Sequence, residues 1–475
     1  MSRADNRGKI LLVRVQSCRI GGVEHPQHIY PPIPLKHMEA IFRKNGYPTA
    51  LIDHWINPVA EEVLLKACLE ESPAVAVILA NPVDSETGID LAKSLKKSIP
   101  GIFTIAVGQD ATLDCEKYLS QDSPFDLPLP GEAEQEVFTV VEKLRLGETM
   151  GDIRSRYITS QHTVTPSVVE DLDGLPFPTY SPEELERYCF SSYPLRMSKK
   201  ATWGFLLSSR GCPYDCYFCS PIMRKSYGKK YRTRSAANVV DEIEHLMHLG
   251  VTVISFEDDN LSFKKDHLYA LCREIRARGL KFSWIAHSRI DELTEEMMVT
   301  MKDAGCVLLR LGVEAGSPRI IKELRKTGKE EEWLDRCRKT FKLARKVGIA
   351  TNALFIIGSP TETREEIEAS IKLAKELNPD IIQVHYFTLY PGSAAYDDYR
   401  KTLSPDLISR FHHYKLPVVN LSALSTEELG KLCGRFYKQF LMRPAFILNH
   451  LRYYTPFYLK NPSIFLHLSR VSKIL

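Results

Sequence analysis

The chain has 475 residues, which is too long for one ordinary domain and predicts two or three hydrophobic cores. Hydrophobic residues make up 44% and charged residues 26%, a balance that excludes wholesale disorder and a membrane-spanning bundle. The net charge of +4 argues against an extended nucleic-acid surface, so no nucleic-acid partner is expected. The amino terminus lacks the cleavage site of a secretory signal, and we expect a cytoplasmic protein.

Residues 1–147 are predicted to form a doubly wound, Rossmann-like parallel sheet. Short apolar runs alternate with helical stretches from KILLVRV at residue 9 to FTIAVG at residue 103. This alternation is typical of a parallel α/β sheet covered by helices on both faces. Gly147 is expected to stop the last helix of the unit. Residues 148–198 are rich in proline and turn formers, and they are predicted to be a linker.

A second series of strands and helices occupies residues 199–395. Six β-rich runs follow one another at the interval of one βα unit: FLLSSR, VTVISF, KFSWIAHS, CVLLRLGVE, TNALFIIG and DIIQVHYFTLY. This pattern predicts a partial (β/α)6, TIM-like barrel with its active site at the carboxyl ends of the strands.

The C-terminal region, residues 396–475, is predicted to be a helical tail. From Gly434 to Leu475 it has no Asp or Glu, seven Lys or Arg and nine Phe or Tyr. One interpretation is a clasp packed across the barrel, which we favour. The other is contact with an anionic membrane face or a lipid-like substrate, which would make the protein membrane-associated.

Three of the eleven cysteines lie close together in the segment SSRGCPYDCYFCS. Cys212, Cys216 and Cys219 are separated by three and two residues. No second ligand pair follows at the distance that a zinc ribbon needs, although a three-ligand zinc site and a chance spacing both stay open. A cubane iron-sulfur cluster held by three thiolates leaves one iron without a protein ligand. That iron can accept the amino and carboxylate groups of S-adenosylmethionine (SAM).

Around these cysteines the chain resembles the radical SAM superfamily, whose motif is a CxxxCxxC loop with an aromatic residue before the last cysteine. FEDDN, LGVEAGS, LFIIGSPTET and YPGSAAY resemble further family segments, in order. The resemblance implies a [4Fe-4S] cluster on the three cysteines. It also implies a SAM site, for which the candidates are Phe218, Glu257, Asp258, Ser288, Glu314 and Gly358. Asp259 and Asn260 are interpreted equally well as a helix cap or a solvated turn.

The N-terminal unit resembles the cobalamin-binding domain that precedes the barrel in one large subgroup of this superfamily. YPPIPLKHMEAIFRKNGY, VGQDATLDCEKYL and FDLPLPGEAEQEVF carry the resemblance. Candidate contacts for the corrin lie at the carboxyl ends of strands. They are Asn81, Pro82, Val83, Gly108, Gln109, Asp110, Gly131 and Glu132. These glycines also fit ordinary turns. The DxHxxG loop of many cobalamin proteins is absent, so the resemblance implies binding without a histidine on cobalt.

The resemblance implies a cobalamin-dependent radical SAM enzyme, and we favour a methyltransferase. In such an enzyme a 5′-deoxyadenosyl radical takes hydrogen from an unreactive carbon, which then receives a methyl group from methylcobalamin. One alternative keeps the cofactors but ends in ring formation or rearrangement. Another is a non-catalytic corrinoid- or zinc-binding module. The expected partners are a small-molecule or lipid-like substrate and an electron donor such as flavodoxin or ferredoxin.

Overall fold

Two parallel sheets, each covered by helices, form the structure and confirm the predicted α/β class. The computed structural model describes residues 8–16, 29–56, 58–159, 163–188, 201–219, 230–411, 415–444, 446–448, 451–452, 455 and 459.

The N-terminal sheet has five parallel strands in the order β2-β1-β3-β4-β5. The strands are β1 (Ile10–Arg14), β2 (Thr49–Asp53), β3 (Val75–Leu79), β4 (Phe103–Val107) and β5 (Leu127–Leu129). The helices are α1 (Ile33–Lys44), α2 (Glu61–Glu70), α3 (Ser85–Ser98), α4 (Gln109–Leu113), α5 (Cys115–Leu119), α6 (Glu134–Arg145) and α7 (Met150–Tyr157). Two separate apolar cores contain alternate residues of the same strands, so the sheet is covered on both faces as predicted. The strand order reverses between β1 and β3, which is where such sheets bind ligands.

Burial along the strands follows from their position in the sheet. Every residue of β1, β3 and β4 is buried, as expected for parallel strands with helices above and below, whereas most of the edge strand β2 is partly exposed. The sequence pattern did not predict β5, which has only three residues and contains Pro128. Proline is tolerated here because β5 is an edge strand.

Part of the predicted linker packs against the N-terminal sheet. Val169, Leu172 and Leu175 form a small core with Ile41 of α1. The segment is held at Ser167, whose carbonyl accepts a hydrogen bond of 2.8 Å from the Glu132 backbone N–H. A short helix, α8 (Pro182–Arg187), follows. The proposed domain boundaries at 147 and 198 stay a prediction.

The second sheet is the predicted partial barrel. Its six parallel strands are β6 (Trp203–Leu206), β9 (Val253–Phe256), β10 (Ser283–Ser288), β11 (Cys306–Glu314), β12 (Ala350–Ile357) and β13 (Ile381–Tyr386). They lie side by side in chain order, and among the described residues the edge strands β6 and β13 do not pair. The intervening helices are α9 (Ala236–His248), α10 (Lys265–Ala277), α11 (Glu295–Asp303), α12 (Pro318–Glu323), α13 (Glu330–Val347) and α14 (Arg364–Leu377). An antiparallel ribbon of β7 (Ser209–Arg210) and β8 (Arg232–Thr233) flanks the cysteine loop.

The helical C-terminal region begins with α15 (Ala394–Tyr399), short 3-10 turns at Arg400–Thr402 and Pro405–Arg410, and α16 (Thr426–Leu441). Helix α16 lies against the barrel as a clasp: Phe436 and Phe440 are fully buried, and the Phe436 ring lies 5.1 Å from that of Phe355 on β12. Most of the predicted tail after residue 448 lies outside the described residues. No helix in the described ranges is both long and apolar enough to cross a membrane.

Candidate functional site

The three motif cysteines lie in one loop, between β7 and β8. Gly211 opens the loop with a φ of +94°, a conformation that favours glycine. Cys212 and Cys216 are partly buried and Cys219 is exposed. Burial, followed by the nearby Asp259 and Cys216, raises the pKa of the Cys212 thiol to about 11. The loop therefore brings thiols together in surroundings where positive charge, such as that of bound iron, is needed to keep them ionised.

Tyr217, between the second and third cysteines, fixes the loop on the barrel. Its backbone N–H donates to the Leu324 carbonyl at 2.9 Å, and its carbonyl accepts from the Ala395 N–H at 3.1 Å. Its hydroxyl donates to Asp398 at 2.9 Å. The neighbouring Phe218 is partly buried against the barrel core. The cysteines are thus held at the carboxyl ends of the strands, where the active site of such a barrel lies.

Two cations lie beside Cys216. The Arg289 guanidinium donates to Cys216 Sγ at 3.9 Å and stacks 3.7 Å above the centre of the Tyr214 ring. Lys326 is buried and donates to Glu314 Oε1 at 2.7 Å. Burial alone would lower the pKa of Lys326, but Glu314 and Cys216 hold it above its ordinary value. Arg289 and Lys326 therefore place positive charge where it would stabilise the cysteine thiolates or an anionic ligand bound to them.

Gly312 leaves the space in which the Lys326–Glu314 ion pair forms. A Cβ at this position would overlap Glu314 Oε1 and would lie 2.8 Å from Lys326 Nζ. Glu314 itself has a φ of +69°, at a bulge where β11 pairs with β12. The carboxylate predicted to contact SAM is therefore held by Lys326 in this structure.

The carboxylates of FEDDN point to different places. Asp258 is fully buried and accepts from the Ser208 backbone N–H at 3.1 Å and the Ser208 hydroxyl at 2.8 Å, and also from the Ser209 hydroxyl. Asp259 Oδ2, in contrast, is buried and has no hydrogen-bond partner within the described ranges. Burial, then the neighbouring Asp258, raises the pKa of Asp259 to about 8. Asp259 lies near enough to Cys212 and Cys219 for its charge to raise the pKa of both thiols.

The remaining SAM candidates are spread around the mouth. Ser288 is buried at the end of β10, and its hydroxyl has no partner among the residues described. The Gly358 N–H donates a hydrogen bond to Glu362 Oε2 at 2.7 Å. The Gly358 Cα faces Leu429 of α16. The Asn260 side-chain amide donates to both carboxylate oxygens of Glu292, at 2.9 and 3.0 Å. Ser288 thus has an open hydrogen-bonding group, whereas Gly358 and Asn260 already serve the fold.

Polar side chains occupy the inner face of the barrel. His287, Arg310 and Asn352 are register partners on three adjacent strands, so they point to the same side of the sheet. The Arg310 guanidinium donates to Ser255 Oγ at 2.9 Å and to Glu257 Oε1 at 3.1 Å. Burial, and then Arg310, lowers the pKa of His287 well below its ordinary value, so this imidazole is neutral. The interior is a hydrogen-bonding lumen and not an apolar core.

A cavity of about 270 Å³ lies at the carboxyl edge of the N-terminal sheet. Five of the eight predicted corrin contacts line it: Asn81, Gly108, Gln109, Gly131 and Glu132. Its apolar wall comes from Tyr30, Pro31, Pro32, Ile33, Pro34, Met38, Leu79 and Val107. On the far side it is closed by Leu207 and Glu257 of the barrel. Glu257, a SAM candidate, therefore also faces the N-terminal cavity, which we call the junction cavity.

The other three predicted corrin contacts lie elsewhere. Pro82 and Asp110 line a larger cleft of about 1030 Å³ beside α3, α5 and α15, and Asp110 is held there by Lys117 at 3.0 Å and Tyr118 at 2.6 Å. Val83 packs against the barrel core. The structure does not bring these three into the junction cavity.

The junction cavity combines apolar walls with a buried acceptor group. Its walls are largely apolar, and Glu134 Oε2 is a buried acceptor with no partner in the described part of the chain. No histidine is among its lining residues within the described ranges. His54, one residue after β2, is buried, and its ring nitrogens contact Gln16 N at 3.3 Å and Val59 O at 2.8 Å.

Comparison with known proteins places the barrel in a family. The sequence model of the Radical SAM superfamily matches residues 206–374, so this part of the chain is a radical SAM domain. An uncharacterized methyltransferase of Pyrococcus horikoshii is 27% identical over 89% of this chain and 90% of its own length. The anaerobic magnesium-protoporphyrin IX monomethyl ester cyclase of Rubrivivax gelatinosus is 24% identical over 88% of this chain and 75% of that protein.

The fold of both units together is also shared with a solved structure. The radical SAM methyltransferase TsrM of Kitasatospora setae, determined with cobalamin and a [4Fe-4S] cluster bound, matches with a TM-score of 0.65. It is 17% identical, and the match covers 83% of this chain and 78% of TsrM. The predicted order, a doubly wound sheet followed by a partial barrel, is confirmed by this likeness.

Proposed function

We propose that this protein is a cobalamin-dependent radical SAM methyltransferase that acts on an unactivated carbon of a small molecule. The observation that carries the proposal is the wall shared by the two sites. Glu257 follows β9 directly and lines the junction cavity, while Asp259, two residues further on, lies near the cysteine loop. A ligand in the cavity and a ligand on the cysteines would therefore lie on either side of one short segment of the barrel.

The residues at the barrel mouth have separable tasks in this proposal. Cys212, Cys216 and Cys219 hold the cluster, and Asp259 accepts hydrogen bonds from the ammonium group of SAM. Ser288 offers a hydroxyl, and Phe218 packs on the adenine. When bound, the cluster with SAM supplies a carbon radical, and the corrinoid supplies the methyl group.

The junction cavity would hold the corrinoid by shape more than by charge. Pro31, Pro32 and Pro34 give a rigid apolar wall, and Glu134 offers an acceptor to a corrin amide. Glu132 has a different task, because both of its carboxylate oxygens are occupied by Arg232. We therefore propose Asn81, Gly108, Gln109 and Gly131 as wall residues and Glu132 as a support.

The polar lumen indicates what kind of substrate the barrel accepts. Glu257, Arg310, His287 and Asn352 offer hydrogen-bond donors and acceptors, and the Arg310–Glu257 pair leaves this group without net charge. An apolar chain inside would pack against these polar side chains and would gain no hydrogen bond from them. A polar, hydrogen-bonding molecule is therefore favoured over the lipid-like alternative at this site.

Methyl-labelled SAM tests the function without knowledge of the substrate. Anaerobically reconstituted protein is loaded with hydroxocobalamin, reduced and given the labelled SAM, and the corrinoid fraction is analysed by mass spectrometry. We expect the label in that fraction. Bound corrinoid without label, together with cleavage of SAM, would contradict methyl transfer, and stoichiometric zinc without iron would support a non-catalytic module.

Ring formation is the second candidate, because the Rubrivivax relative is named as a cyclase and matches 88% of this chain. It uses the same two sites, so only the fate of the methyl group separates it from the first candidate. An electron donor such as flavodoxin or ferredoxin is required by either reaction.

We also propose a peripheral membrane contact through residues after α16, in contrast to the clasp formed by α16 itself. Met442, Leu448, Leu451 and Leu459 are 66%, 66%, 60% and 73% exposed. Nearby charges favour an anionic surface, because residues 434–475 contain no Asp or Glu. Leu448→Glu should abolish co-sedimentation with phosphatidylglycerol vesicles, while Leu146→Glu, at an exposed site of the N-terminal unit, should not. Equal sedimentation of both variants would contradict the contact.

A further inference from the structure

The cysteine loop is closed at its base by two arginines. Arg210 is the last residue of β7 and Arg232 is the first of β8, and the two are direct partners in the antiparallel ribbon. They enclose residues 211–231, which include all three motif cysteines. The positions of these two residues therefore set where both ends of the loop lie.

Both arginines pair with glutamates of the N-terminal unit. Arg210 contacts Glu134 Oε1 at 2.9 Å and Glu132 Oε2 at 3.3 Å. Arg232 donates to Glu132 Oε2 at 2.9 Å through Nη1 and to Glu132 Oε1 through Nη2. Each of the four side chains is at most 5% exposed. We call this group the arginine clamp.

The glutamates come from the segment that lines the junction cavity. Gly131, Glu132, Ala133 and Glu134 follow β5, and all four line the cavity. One short segment thus forms a wall of the cavity and also holds both ends of the cysteine loop. A ligand that fills the cavity would contact this segment, and a shift of the segment would move the glutamates that hold the arginines.

Stability alone is a poor explanation for a buried group of four charges. Replacement of a buried ion pair by apolar residues is often neutral or stabilising, because the desolvation of the charges offsets their attraction. What charges add is a fixed geometry, since a guanidinium and a carboxylate meet in a planar, two-pronged arrangement. The clamp joins two units of the chain at the place where their candidate sites meet.

We propose that Arg210, Arg232, Glu132 and Glu134 are positioning residues that fix both ends of the cysteine loop against the junction cavity, so that occupancy of the cavity and the position of the motif cysteines are coupled. The coupling is reciprocal, because two sites linked through one element change each other's equilibrium equally. This inference rests on the proposed function only for the identity of the ligand in the cavity.

Limited proteolysis of the apoprotein tests the clamp itself. The loop carries trypsin sites at Arg224, Lys225, Lys229 and Lys230. In Glu132→Gln, which keeps the shape but removes the charge, we expect cleavage in the loop to be about tenfold faster than in wild type. The control is Glu242→Gln, which breaks a buried pair between α9 and Arg234, the residue that follows β8 by one position. It should leave the loop cleavage rate unchanged, and equal loop rates in Glu132→Gln and wild type would overturn the clamp.

Rescue and iron retention guard against a merely misfolded variant. The exchanged pair Arg210→Glu with Glu134→Arg should restore slow cleavage relative to either single change. After anaerobic reconstitution, a chelator should strip iron from Glu132→Gln about tenfold faster than from wild type or Glu242→Gln. Iron loss at the same rate in all three proteins would contradict a positioning role.

Hydroxocobalamin tests the coupling to the cavity. Its binding should slow cleavage of the loop in wild type and should leave the rate in Glu132→Gln unaffected. Failure of hydroxocobalamin to co-elute with wild type would count against the proposed function, while the cleavage ratio without it still decides the clamp. Co-elution with wild type and equal protection of both proteins would refute the coupling.

Discussion

The barrel mouth and the junction cavity share one wall, but different kinds of side chain line them. Around the cysteines, charged side chains are buried in pairs, as with Lys326 and Glu314, or left open, as with Asp259. The cavity of the N-terminal sheet is walled mainly by proline, aliphatic and aromatic side chains. The difference indicates that the first site controls charge on its ligand, whereas the second selects shape. Substitutions at the two sites should therefore fail in different ways.

The largest expected effect is at the barrel mouth. Lys326→Met leaves Glu314 buried without its partner, so the free energy of unfolding of the apoprotein should fall by about 3–5 kcal/mol in denaturant titration. Adding Glu314→Leu should recover most of this loss, since both charges are then absent. Gly312→Ala, which crowds the same pair, should destabilise as well. A loss below about 1 kcal/mol in Lys326→Met would mean that the pair is solvated, like surface pairs.

Asp259→Asn tests the charge-controlled site through its ligand. Removal of the open carboxylate should weaken SAM binding about tenfold to a hundredfold, because a hydrogen bond to a charged group contributes about 1.5–3 kcal/mol. Calorimetry on the anaerobically reconstituted protein measures this. Asp303→Asn, an exposed carboxylate of the same barrel, serves as the control. An unchanged dissociation constant in Asp259→Asn would remove Asp259 from the SAM site.

The shape-selecting site is probed by two glycines of one sheet. Gly108 has a φ of +99° and lines the junction cavity, whereas Gly101 has a φ of +83°, lies before β4 and has no atom within 4 Å of the place where a Cβ would stand. Alanine at either position should cost about 1–3 kcal/mol of stability from backbone strain. Only Gly108→Ala should reduce retention of hydroxocobalamin on gel filtration. Equal retention by both variants would mean that the turn at Gly108 does not shape the site.

A pH-dependent effect is expected from a buried carboxylate outside both sites. Burial raises the pKa of Glu362 from 4.5 to about 8, although the Ser359 and Gly358 N–H groups oppose this. Because the folded state then binds a proton that the unfolded state has lost, the free energy of unfolding falls between these pH values, by at most about 1.4 kcal/mol per unit. Glu362→Gln should flatten that slope in denaturant titrations. An unchanged slope would assign the dependence to other groups.

The sequence predicted the fold and the cysteine site well, for physical reasons. Six apolar runs at a regular interval have one simple arrangement, and three cysteines in one loop cannot lie far apart. β5 was missed because three residues with a proline carry no strand periodicity. More of the barrel site could have been predicted, because Ser255 and Glu257 are two residues apart at the end of β9 and both accept hydrogen bonds from Arg310.

Other features depend on contacts that no local pattern encodes. Lys326 lies in the segment between α12 and α13, and its contact with Glu314 is a tertiary contact that the sequence pattern does not predict. Glu132 was predicted as a corrin contact, but the structure gives its carboxylate to Arg210 and Arg232, which lie far along the chain. The proline wall of the junction cavity belongs to the segment YPPIPLKHMEAIFRKNGY, so the family resemblance indicated it and no local pattern did. The opposite wall of the cavity comes from Leu207 and Glu257 of the barrel. Sequence patterns within one unit do not predict a contact between two units.

The central claim is that Cys212, Cys216 and Cys219 hold a cluster that cleaves SAM, and anaerobic reconstitution tests it most directly. Iron content and 5′-deoxyadenosine release under reduction are measured for wild type, Cys216→Ala and the control Cys115→Ser, a partly buried cysteine outside the motif. We expect about four irons per chain and 5′-deoxyadenosine from wild type and the control, and neither from Cys216→Ala. Undiminished 5′-deoxyadenosine release by Cys216→Ala would contradict the account.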